Sequence, residues 1–280
     1  MTKPPDFPDE WKIDAFEFLA ETFSSVIWKV AQADGTLAVV KDVKQFDDME
    51  DELRGAHLLA WRRGNGLVRL LGRHGNAMLL EYAGERHLSE GLDEATDMAA
   101  SEVAAQVMQR LHGASDHPAP AELQQLSERF AALFAKAERD RTAGLSSPYV
   151  EAAGVAQHLL DDAKGVRPLH GDLHHDNILF GTRGWLAIDP KGVLGDPGFD
   201  AANLFYNPLE RDDLCLAPER IARMADVFSK SMRQDPRRLL DHAFAYGCLS
   251  ATWHHDDGNS RDENRELAVA SAIRAVRLDF

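Results

Sequence analysis

The period of the hydrophobic pattern changes after Tyr82-Ala83-Gly84, and this change constrains the fold more than any other feature. Ahead of it, short apolar runs alternate with turn residues, which is typical of β-strands. After it, Ala-rich stretches recur at helical spacing. The sequence therefore predicts an α+β fold, with a small β-rich lobe at residues 1–83 and a larger helical lobe at residues 84–280. A cleft between two unequal lobes is a common place for a ligand.

The first 83 residues predict a sheet with one inserted helix. Residues 22–30 and 37–40 read as a hairpin around the turn Asp34-Gly35. Apolar residues then recur at helical spacing over 48–61, and a second strand pair follows within 67–81. The helix is therefore expected to connect the two hairpins.

The rest of the chain predicts helices interrupted by one hairpin. Two short apolar runs, 177–180 and 185–188, flank a Gly-containing turn and read as that hairpin. Six amphipathic stretches are predicted as helices: 93–111, 122–139, 149–163, 218–232, 235–249 and 262–278.

The charge balance limits the classes of partner. With 46 acidic against 31 basic residues, the formal net charge is -15, which repels nucleic acid and anionic membranes and favours a cationic small molecule. Cys215 and Cys248 are too few for a disulfide framework and lack CxxC spacing. The amino-terminal stretch MTKPPDFPDEW has no apolar core, so we expect neither a signal peptide nor a membrane span. A cytoplasmic monomer is the resulting expectation.

The densest group of ionisable residues lies immediately before and after the predicted hairpin. Asp172 and Asn177 precede it, and Asp189 ends its second strand. Phosphoryl transfer needs such a set, because one carboxylate orients and deprotonates the attacking hydroxyl while other oxygen ligands hold Mg²⁺ ions that neutralise phosphates. The spacing therefore favours a phosphotransferase.

The same residues carry a resemblance to a known family. His170, Asp172 and Asn177 follow the pattern H-x-D-x-x-x-x-N of kinase-fold phosphotransferases, and the form HGDLH at 170–174 is found in aminoglycoside phosphotransferases. The run 169–208, LHGDLHHDNILFGTRGWLAIDPKGVLGDPGFDAANLFYNP, closely resembles the streptomycin 6-phosphotransferase branch, the aminoglycoside/hydroxyurea resistance kinases. Similar stretches, such as DELRGA and LLEYAGER, extend the resemblance over nearly the whole chain.

The resemblance implies a bilobal protein-kinase-like fold and transfer of the ATP γ-phosphoryl group to the 6-hydroxyl of streptomycin, which confers resistance. It implies that Asp172 is the catalytic base, that His174 lies near the transferred phosphate, and that Asn177 and Asp189 bind Mg²⁺. Two further residues are expected to support the catalytic loop: His170 and Asp200.

The resemblance also implies a nucleotide site in the first lobe. Lys41, at the end of an apolar strand, matches the lysine that contacts the α- and β-phosphates, and Glu52 on the next helix is its expected ion-pair partner. Lys44 and Glu50 are the alternatives for these two roles.

The loop that covers the phosphates in protein kinases is glycine-rich, but here it carries hydroxyl side chains. Ser24 and Ser25 are expected to donate hydrogen bonds to phosphate oxygens in place of that loop. The inter-lobe segment is expected to present backbone groups to the edge of adenine, through Glu81, Tyr82 and Ala83.

The acceptor site is predicted in the carboxyl-terminal half of the helical lobe. A streptomycin-like antibiotic carries guanidinium groups, which bind carboxylates and aromatic faces. The candidate contacts are Glu210, Asp212, Trp253, His254 and Asp256.

Three alternatives remain open at this point. A metal-dependent hydrolase could use the His and Asp residues of 170–189, but it leaves Asn177 and Lys41 without a role. A non-catalytic kinase-fold module that only binds nucleotide would be expected to lack one of the catalytic groups. A kinase of another small compound, such as hydroxyurea, fits the same motifs, because they do not encode acceptor specificity.

Overall fold

The computed structural model describes residues 6–45 and 49–280. The first lobe is built on a five-stranded antiparallel sheet with the order β1-β2-β3-β5-β4. Its strands are β1 Ile13–Glu21, β2 Ser25–Gln32, β3 Leu37–Val43, β4 Leu70–His74 and β5 Ala77–Glu81.

The sheet has two apolar faces because side chains alternate along each strand. Leu80 faces the main core together with Ala56 and Leu59 of helix α1, Met49–Arg62. Its neighbour Leu79 faces a smaller cluster around Trp28 on the opposite side. Helix α1 therefore covers one face, between the sheet and the second lobe.

The second lobe is helical. Helix α9 lies at its centre, and its residues are buried along most of the helix, from Leu239 to Thr252. A buried ion pair between Arg220 and Asp97, 2.8 Å apart, joins α8 to α2. The helices are α2 Asp97–Leu111, α3 Leu126–Arg129, α4 Ala131–Thr142, α5 Pro148–Asp161, α6 Gly198–Ala202, α7 Asp212–Cys215, α8 Pro218–Met232, α9 Pro236–Asp256 and α10 Ser260–Arg277. Among the described residues, no helix is both long and apolar enough to cross a bilayer.

Short strands fix the segment between the lobes. The hairpin of β9 and β10 pairs with β6, and a second small sheet has the order β7-β11-β8. These strands are β6 Arg86–His87, β7 Gln124–Gln125, β8 Arg167–Leu169, β9 Ile178–Gly181, β10 Gly184–Ala187 and β11 Val193–Gly195.

Arg183, in the turn of the β9–β10 hairpin, joins the hairpin to the first lobe. Its guanidinium donates to both oxygens of Glu81 at 2.6 Å and to the carbonyl of Gly64 at 2.9 Å. Burial alone would raise the pKa of Glu81, but the hydrogen bonds from Arg183 and from the Arg69 backbone N–H lower it, so the carboxylate stays ionised. At Gly84, φ is +81°, and a Cβ there would lie 2.5 Å from the Phe180 carbonyl oxygen, so a side chain would separate the hairpin from the inter-lobe segment.

The α+β class, with a small β-rich lobe, one inserted helix and a larger helical lobe, is confirmed. The predicted strand at 22–30 is wrong at its start, because Thr22 turns the chain by accepting a hydrogen bond from the Ser25 N–H at 3.0 Å. Strand β1 was not predicted, since both faces of this edge strand are largely exposed and its apolar alternation is weak. The predicted helix at 122–139 is divided at Phe130.

Other predicted bounds shift by a few residues. Helix α9 continues to Asp256, beyond the predicted end at 249. Asp48, the predicted first residue of the inserted helix, lies outside the described residues. The division of the chain after residue 83 stays a prediction.

Candidate active site

Four charged side chains form a closed ring of ion pairs where the lobes meet. Lys41 contacts one oxygen of Glu52 and one oxygen of Asp189. Lys191 contacts the other oxygen of each, at 2.6 Å for Glu52 and 3.3 Å for Asp189. Burial alone would raise the pKa of Asp189, but Lys41 and Lys191 hold it well below its usual range. The ring therefore joins β3, α1 and the end of the hairpin through charged groups.

The two alternatives for this ion pair lie elsewhere. Lys44 pairs with Glu21 at 2.8 Å and donates to the carbonyl of Thr22. Glu50 lies 3.8 Å from Arg54 on the same helix. The structure therefore brings Lys41 and Glu52 to the cleft.

Asp189 has a backbone conformation that non-glycine residues adopt infrequently. Its φ is +58°, in the left-handed region, two residues after the end of strand β10. Aspartate tolerates this region better than most residues, and such conformations cluster at functional sites, where the surrounding structure holds them. The ring of ion pairs and the hairpin supply that support.

The buried carboxylate of Asp200 holds the backbone of the loop at 170–172. Asp200 accepts hydrogen bonds from the N–H groups of His170 and Gly171, both at 2.8 Å, and lies 2.8 Å from Nε2 of His112. Burial alone would raise the pKa of Asp200, but the hydrogen bond to His112 and the other contacts lower it. An ionised, fully buried aspartate thus fixes the backbone that carries Asp172.

His170 fixes the backbone of the same loop through hydrogen bonds of both ring nitrogens. Its Nε2 lies 2.7 Å from the carbonyl of Ile188, which can only accept, so this nitrogen carries the proton. Its Nδ1 accepts from the Asp172 N–H at 3.2 Å. Burial lowers the pKa of His170, which keeps the ring neutral and preserves this tautomer.

The carboxylate of Asp172 is oriented by two asparagines that the sequence did not single out. Asn203 donates from Nδ2 to Oδ1 of Asp172 at 3.0 Å. Asn207 donates to the side-chain oxygen of Asn203 at 2.9 Å and to its backbone carbonyl at 3.0 Å. Since the Asn203 oxygen is occupied as an acceptor, its nitrogen must face Asp172.

A cavity of about 610 Å³ lies between the lobes. Its polar end carries Lys41, Asn177 and Asp189. Its remaining walls are mainly apolar, with Ile27, Val39, Val68, Leu80, Leu179 and Ile188. Apolar walls that lead to a charged end suit a ligand with a flat base and an anionic tail.

Only some of the predicted nucleotide contacts line this cavity. Glu81 and Ala83 line it, whereas Tyr82 lies outside the lining and donates its hydroxyl to Glu85 at 2.8 Å. Neither Ser24 nor Ser25 belongs to the lining, and Ser25 is fully buried. Their neighbour Thr22 lines the cavity instead.

Asn177 and Asp189 supply the kind of ligand atoms that Mg²⁺ prefers. The nitrogen of the Asn177 amide donates to the backbone carbonyl of Asp172 at 2.9 Å, which leaves the amide oxygen for a cation. Asp189 is ionised, as its lowered pKa shows. Asn177 and Asp189, at the polar end of the cavity, therefore fit a magnesium ion.

A second cavity, of about 880 Å³, lies in the helical lobe. Asp176 lines both cavities, so they adjoin beside the catalytic loop. Of the predicted acceptor contacts, Glu210, Asp212 and His254 line this cavity.

The other two predicted acceptor contacts lie outside that lining. Trp253 packs beneath the guanidinium of Arg129, 5.1 Å from the ring centroid. Asp256 pairs with Arg139 at 3.1 Å. Sequence proximity to His254 did not bring them to the same surface, because successive residues of a helix point in different directions.

The histidines that follow Asp172 differ in their surroundings. Nδ1 of His174 lies 3.8 Å from a carboxylate oxygen of Asp176, beside the junction of the two cavities. His175 is buried, and burial lowers its pKa to about 3, so it stays neutral at physiological pH. Neither His174 nor His175 is among the residues that line the two cavities, so the proximity of His174 to the transferred phosphate stays a prediction.

Comparisons with known proteins agree with this geometry. The model of the family described as aminoglycoside/hydroxyurea antibiotic resistance kinase matches residues 10–258. Streptomycin 3''-kinase of Klebsiella pneumoniae is 36% identical over 275 residues, which cover 96% of this chain and 99% of the relative. Streptomycin 6-kinase of Streptomyces griseus is 31% identical over 281 residues, which cover 95% of this chain and 86% of the relative.

A solved structure shows the same fold. A thermostable mutant of the aminoglycoside phosphotransferase APH(4)-Ia, in a ternary complex with ADP and hygromycin B, matches with a TM-score of 0.63 at 15% identity. The match covers 95% of this chain and 96% of that chain. The two-lobed, protein-kinase-like architecture that the sequence predicted is thereby confirmed.

Proposed function

The chain belongs to the aminoglycoside/hydroxyurea antibiotic resistance kinases, and from this membership we propose that it transfers the γ-phosphoryl group of ATP to a hydroxyl of streptomycin or a close analogue. The observation that carries the proposal is that Lys41, Asn177 and Asp189 line one cavity, while Asn177 donates to the backbone carbonyl of Asp172. Asp176, in the same loop, lines both this cavity and the larger one beside it. One cavity suits the nucleotide, and the other suits the acceptor.

The proposed mechanism assigns the proton to Asp172. Its carboxylate receives the proton of the attacking hydroxyl, while Asn203 holds the other side of the same group. Lys41 offsets negative charge on the phosphates, and Glu52 orients Lys41. A magnesium ion held by Asn177 and Asp189 would supply further neutralisation of the triphosphate. The protein mainly positions the reactants and stabilises charge.

The second cavity favours a large cationic acceptor over hydroxyurea. Its volume of about 880 Å³ lies in the upper part of the range for sites that hold drug-sized ligands, whereas hydroxyurea has only a handful of non-hydrogen atoms. Five carboxylates line it: Asp176, Glu210, Asp212, Asp262 and Glu266. This excess of acid over the three lining arginines suits guanidinium groups.

For the acceptor atom, we propose the 6-hydroxyl of the streptidine ring. The similarity over residues 169–208 to the streptomycin 6-phosphotransferase branch supports this position. The 3''-hydroxyl is the competing position, because a relative named streptomycin 3''-kinase is 36% identical to this chain.

The test is a transfer assay with labelled ATP and Mg²⁺ on streptomycin, kanamycin, hydroxyurea and homoserine. We expect labelled streptomycin, with phosphorus–proton coupling at position 6 in the NMR spectrum of the product. Coupling at the 3'' position would correct the site of transfer, and label on hydroxyurea alone would replace the acceptor. An Asp172→Asn variant is the control, since it should bind nucleotide but transfer at least about a thousandfold more slowly. Failure to label any compound would contradict the proposed activity.

A further inference from the structure

Glu266 is a buried carboxyl group in the wall of the larger cavity. This residue is only 6% exposed, whereas the other charged residues of α10 are exposed or half-buried. It accepts a hydrogen bond from Arg265 at 3.0 Å and interacts with the Ser250 side chain. A carboxyl group is rarely buried to this extent unless a charge or a ligand compensates it.

The arginine beside Glu266 is shared with other acceptors. Arg265 donates to Asp212 at 2.8 Å and to the carbonyl of Tyr206 at 2.9 Å, in addition to its bond with Glu266. One positive charge therefore serves two carboxylates, Asp212 and Glu266, in the same wall. The wall lacks one positive charge, and a cationic ligand can supply it.

The imbalance extends across the cavity. Five lining carboxylates face three lining arginines, and one of these arginines, Arg211, is already paired with Asp213 at 2.8 Å. Asp262 accepts a hydrogen bond from the Asn259 side-chain amide at 2.7 Å, and its backbone N–H donates to the Asn259 oxygen at 3.3 Å, so its partner here is a neutral group. The cavity is thus short of positive charge around Glu266, which is more than nine-tenths buried.

We infer that Glu266 recognises a cationic group of the acceptor, and that the arrival of this cation drives the proton of Glu266 into the solvent. The inference rests on the proposed function and adds to it the residue that selects a charged acceptor. In the empty cavity the carboxyl group keeps a proton, because the wall cannot neutralise a second carboxylate. When a guanidinium or ammonium group binds, the carboxylate gains its missing partner and the proton leaves.

The pKa of Glu266 supports the same sequence of events. Burial raises it to about 7, and the nearby Arg265 only partly opposes this rise. The polar and titratable groups that interact with Glu266 come from its own helix, from α9 and from the segment that follows α6. They are Arg265 and Asp262 of α10, Tyr246, Cys248 and Ser250 of α9, and Tyr206 of the segment that follows α6.

Calorimetry measures this proton release directly. Streptomycin is titrated into the protein bound to Mg²⁺ and ADP, which allows no transfer, in phosphate and in Tris buffer, whose ionisation enthalpies differ. At pH 7 the wild type should release about half a proton per acceptor bound, and at pH 9 almost none. The acceptor should bind roughly tenfold more tightly at pH 8 than at pH 6, because less of Glu266 must then lose a proton on binding.

Three variants locate the source of the proton. Glu266→Gln should abolish the release and weaken acceptor binding at pH 8 by about tenfold or more, without changing the affinity for Mg·ADP. Glu266→Asp keeps an ionisable group and should keep the proton release, which guards against a fold that does not tolerate glutamine. His254→Asn should also keep it, since this change removes the histidine that lines the same cavity and leaves Glu266 in place.

The outcomes separate this inference from the proposed function. Streptomycin that is bound and phosphorylated without proton release, or with unchanged release in Glu266→Gln, overturns the role of Glu266 alone. Loss of release in His254→Asn assigns the proton to the histidine and also overturns it. A transfer assay that yields no phosphorylated acceptor contradicts the proposed function itself.

Discussion

The side-chain nitrogen of Asn203 donates a hydrogen bond to Oδ1 of Asp172 at 3.0 Å. The amide is itself fixed by Asn207, which donates to the Asn203 oxygen at 2.9 Å. Oδ1 of Asp172 is thereby occupied, and Oδ2 is left as the oxygen that can receive a substrate proton. The arrangement makes Asn203 a positioning residue for the proposed base.

Replacement of Asn203 by alanine should lower kcat by about 10- to 100-fold with little change in the KM for ATP, because the base loses its orientation while the nucleotide cavity is untouched. Asn203→Asp should be worse than alanine, since a second carboxylate would repel the base at the same distance. Steady-state kinetics of both variants tests this order of kcat values, and thermal melting is the folding control. Equal kcat values for wild type and Asn203→Ala would contradict the positioning role.

The sequence predicted those parts of the site that lie close together in the chain. Asp172, Asn177 and Asp189 flank one hairpin, so their spacing carries the information, and the Lys41–Glu52 pair joins a strand to the helix that follows it. Glu266 could not be found in the same way. It follows four charged residues and an asparagine within residues 261–265 and resembles part of an exposed helical face.

Residues that act through tertiary packing gave no local signal. Asn203 reaches Asp172 because α6 and the turn after it fold back beneath the loop, 31 positions along the chain. Lys191 lies only two residues after Asp189, but the left-handed backbone at Asp189 means that strand alternation does not predict where their side chains point. Strand β1 was missed because an exposed edge strand does not need a strong apolar pattern.

Replacement of Lys191 by methionine should destabilise the protein by about 3 kcal/mol, because Glu52 and Asp189 would then share Lys41 as a partner in a largely buried place. The measurement is the free energy of unfolding in urea. Lys44→Met is the matched control: its pair with Glu21 is partly exposed, and its loss should cost less than about 1 kcal/mol. Similar losses for the two variants would show that the ring contributes no more than a surface ion pair.

Asp189→Asn should raise the Mg²⁺ concentration needed for half-maximal transfer by about tenfold or more, since a neutral amide is a weaker ligand for a hard cation than a carboxylate. Chelation of the metal should stop transfer by the wild type. Calorimetric titration of Mg·ATP gives a readout that does not depend on turnover. An unaltered dependence on Mg²⁺ in both measurements would remove Asp189 from the proposed metal site.

Asp196 provides a test of stability away from the cavities. It is 1% exposed, pairs with Arg238, and accepts hydrogen bonds from the N–H of Lys164 at 2.9 Å and of Gly198 at 3.0 Å. Burial alone would raise its pKa, but His242, the Gly198 N–H and Arg238 hold it well below the usual range. A depressed pKa stabilises the fold at any pH above the unfolded value of about 4, and this contribution is lost as the pH falls further.

Asp196→Asn should therefore cost about 3 to 5 kcal/mol at pH 7, since it leaves Arg238 without its buried partner. Below about pH 4 the difference in unfolding free energy between wild type and variant should shrink by about 1.4 kcal/mol per pH unit, because the wild-type carboxylate then takes up a proton only on unfolding. Urea unfolding at pH 7, 5 and 3.5 measures this difference. If the difference in unfolding free energy stays constant from pH 7 to pH 3.5, the charge of Asp196 does not stabilise the fold. The loss of stability in the variant would then come from the different geometry of the amide.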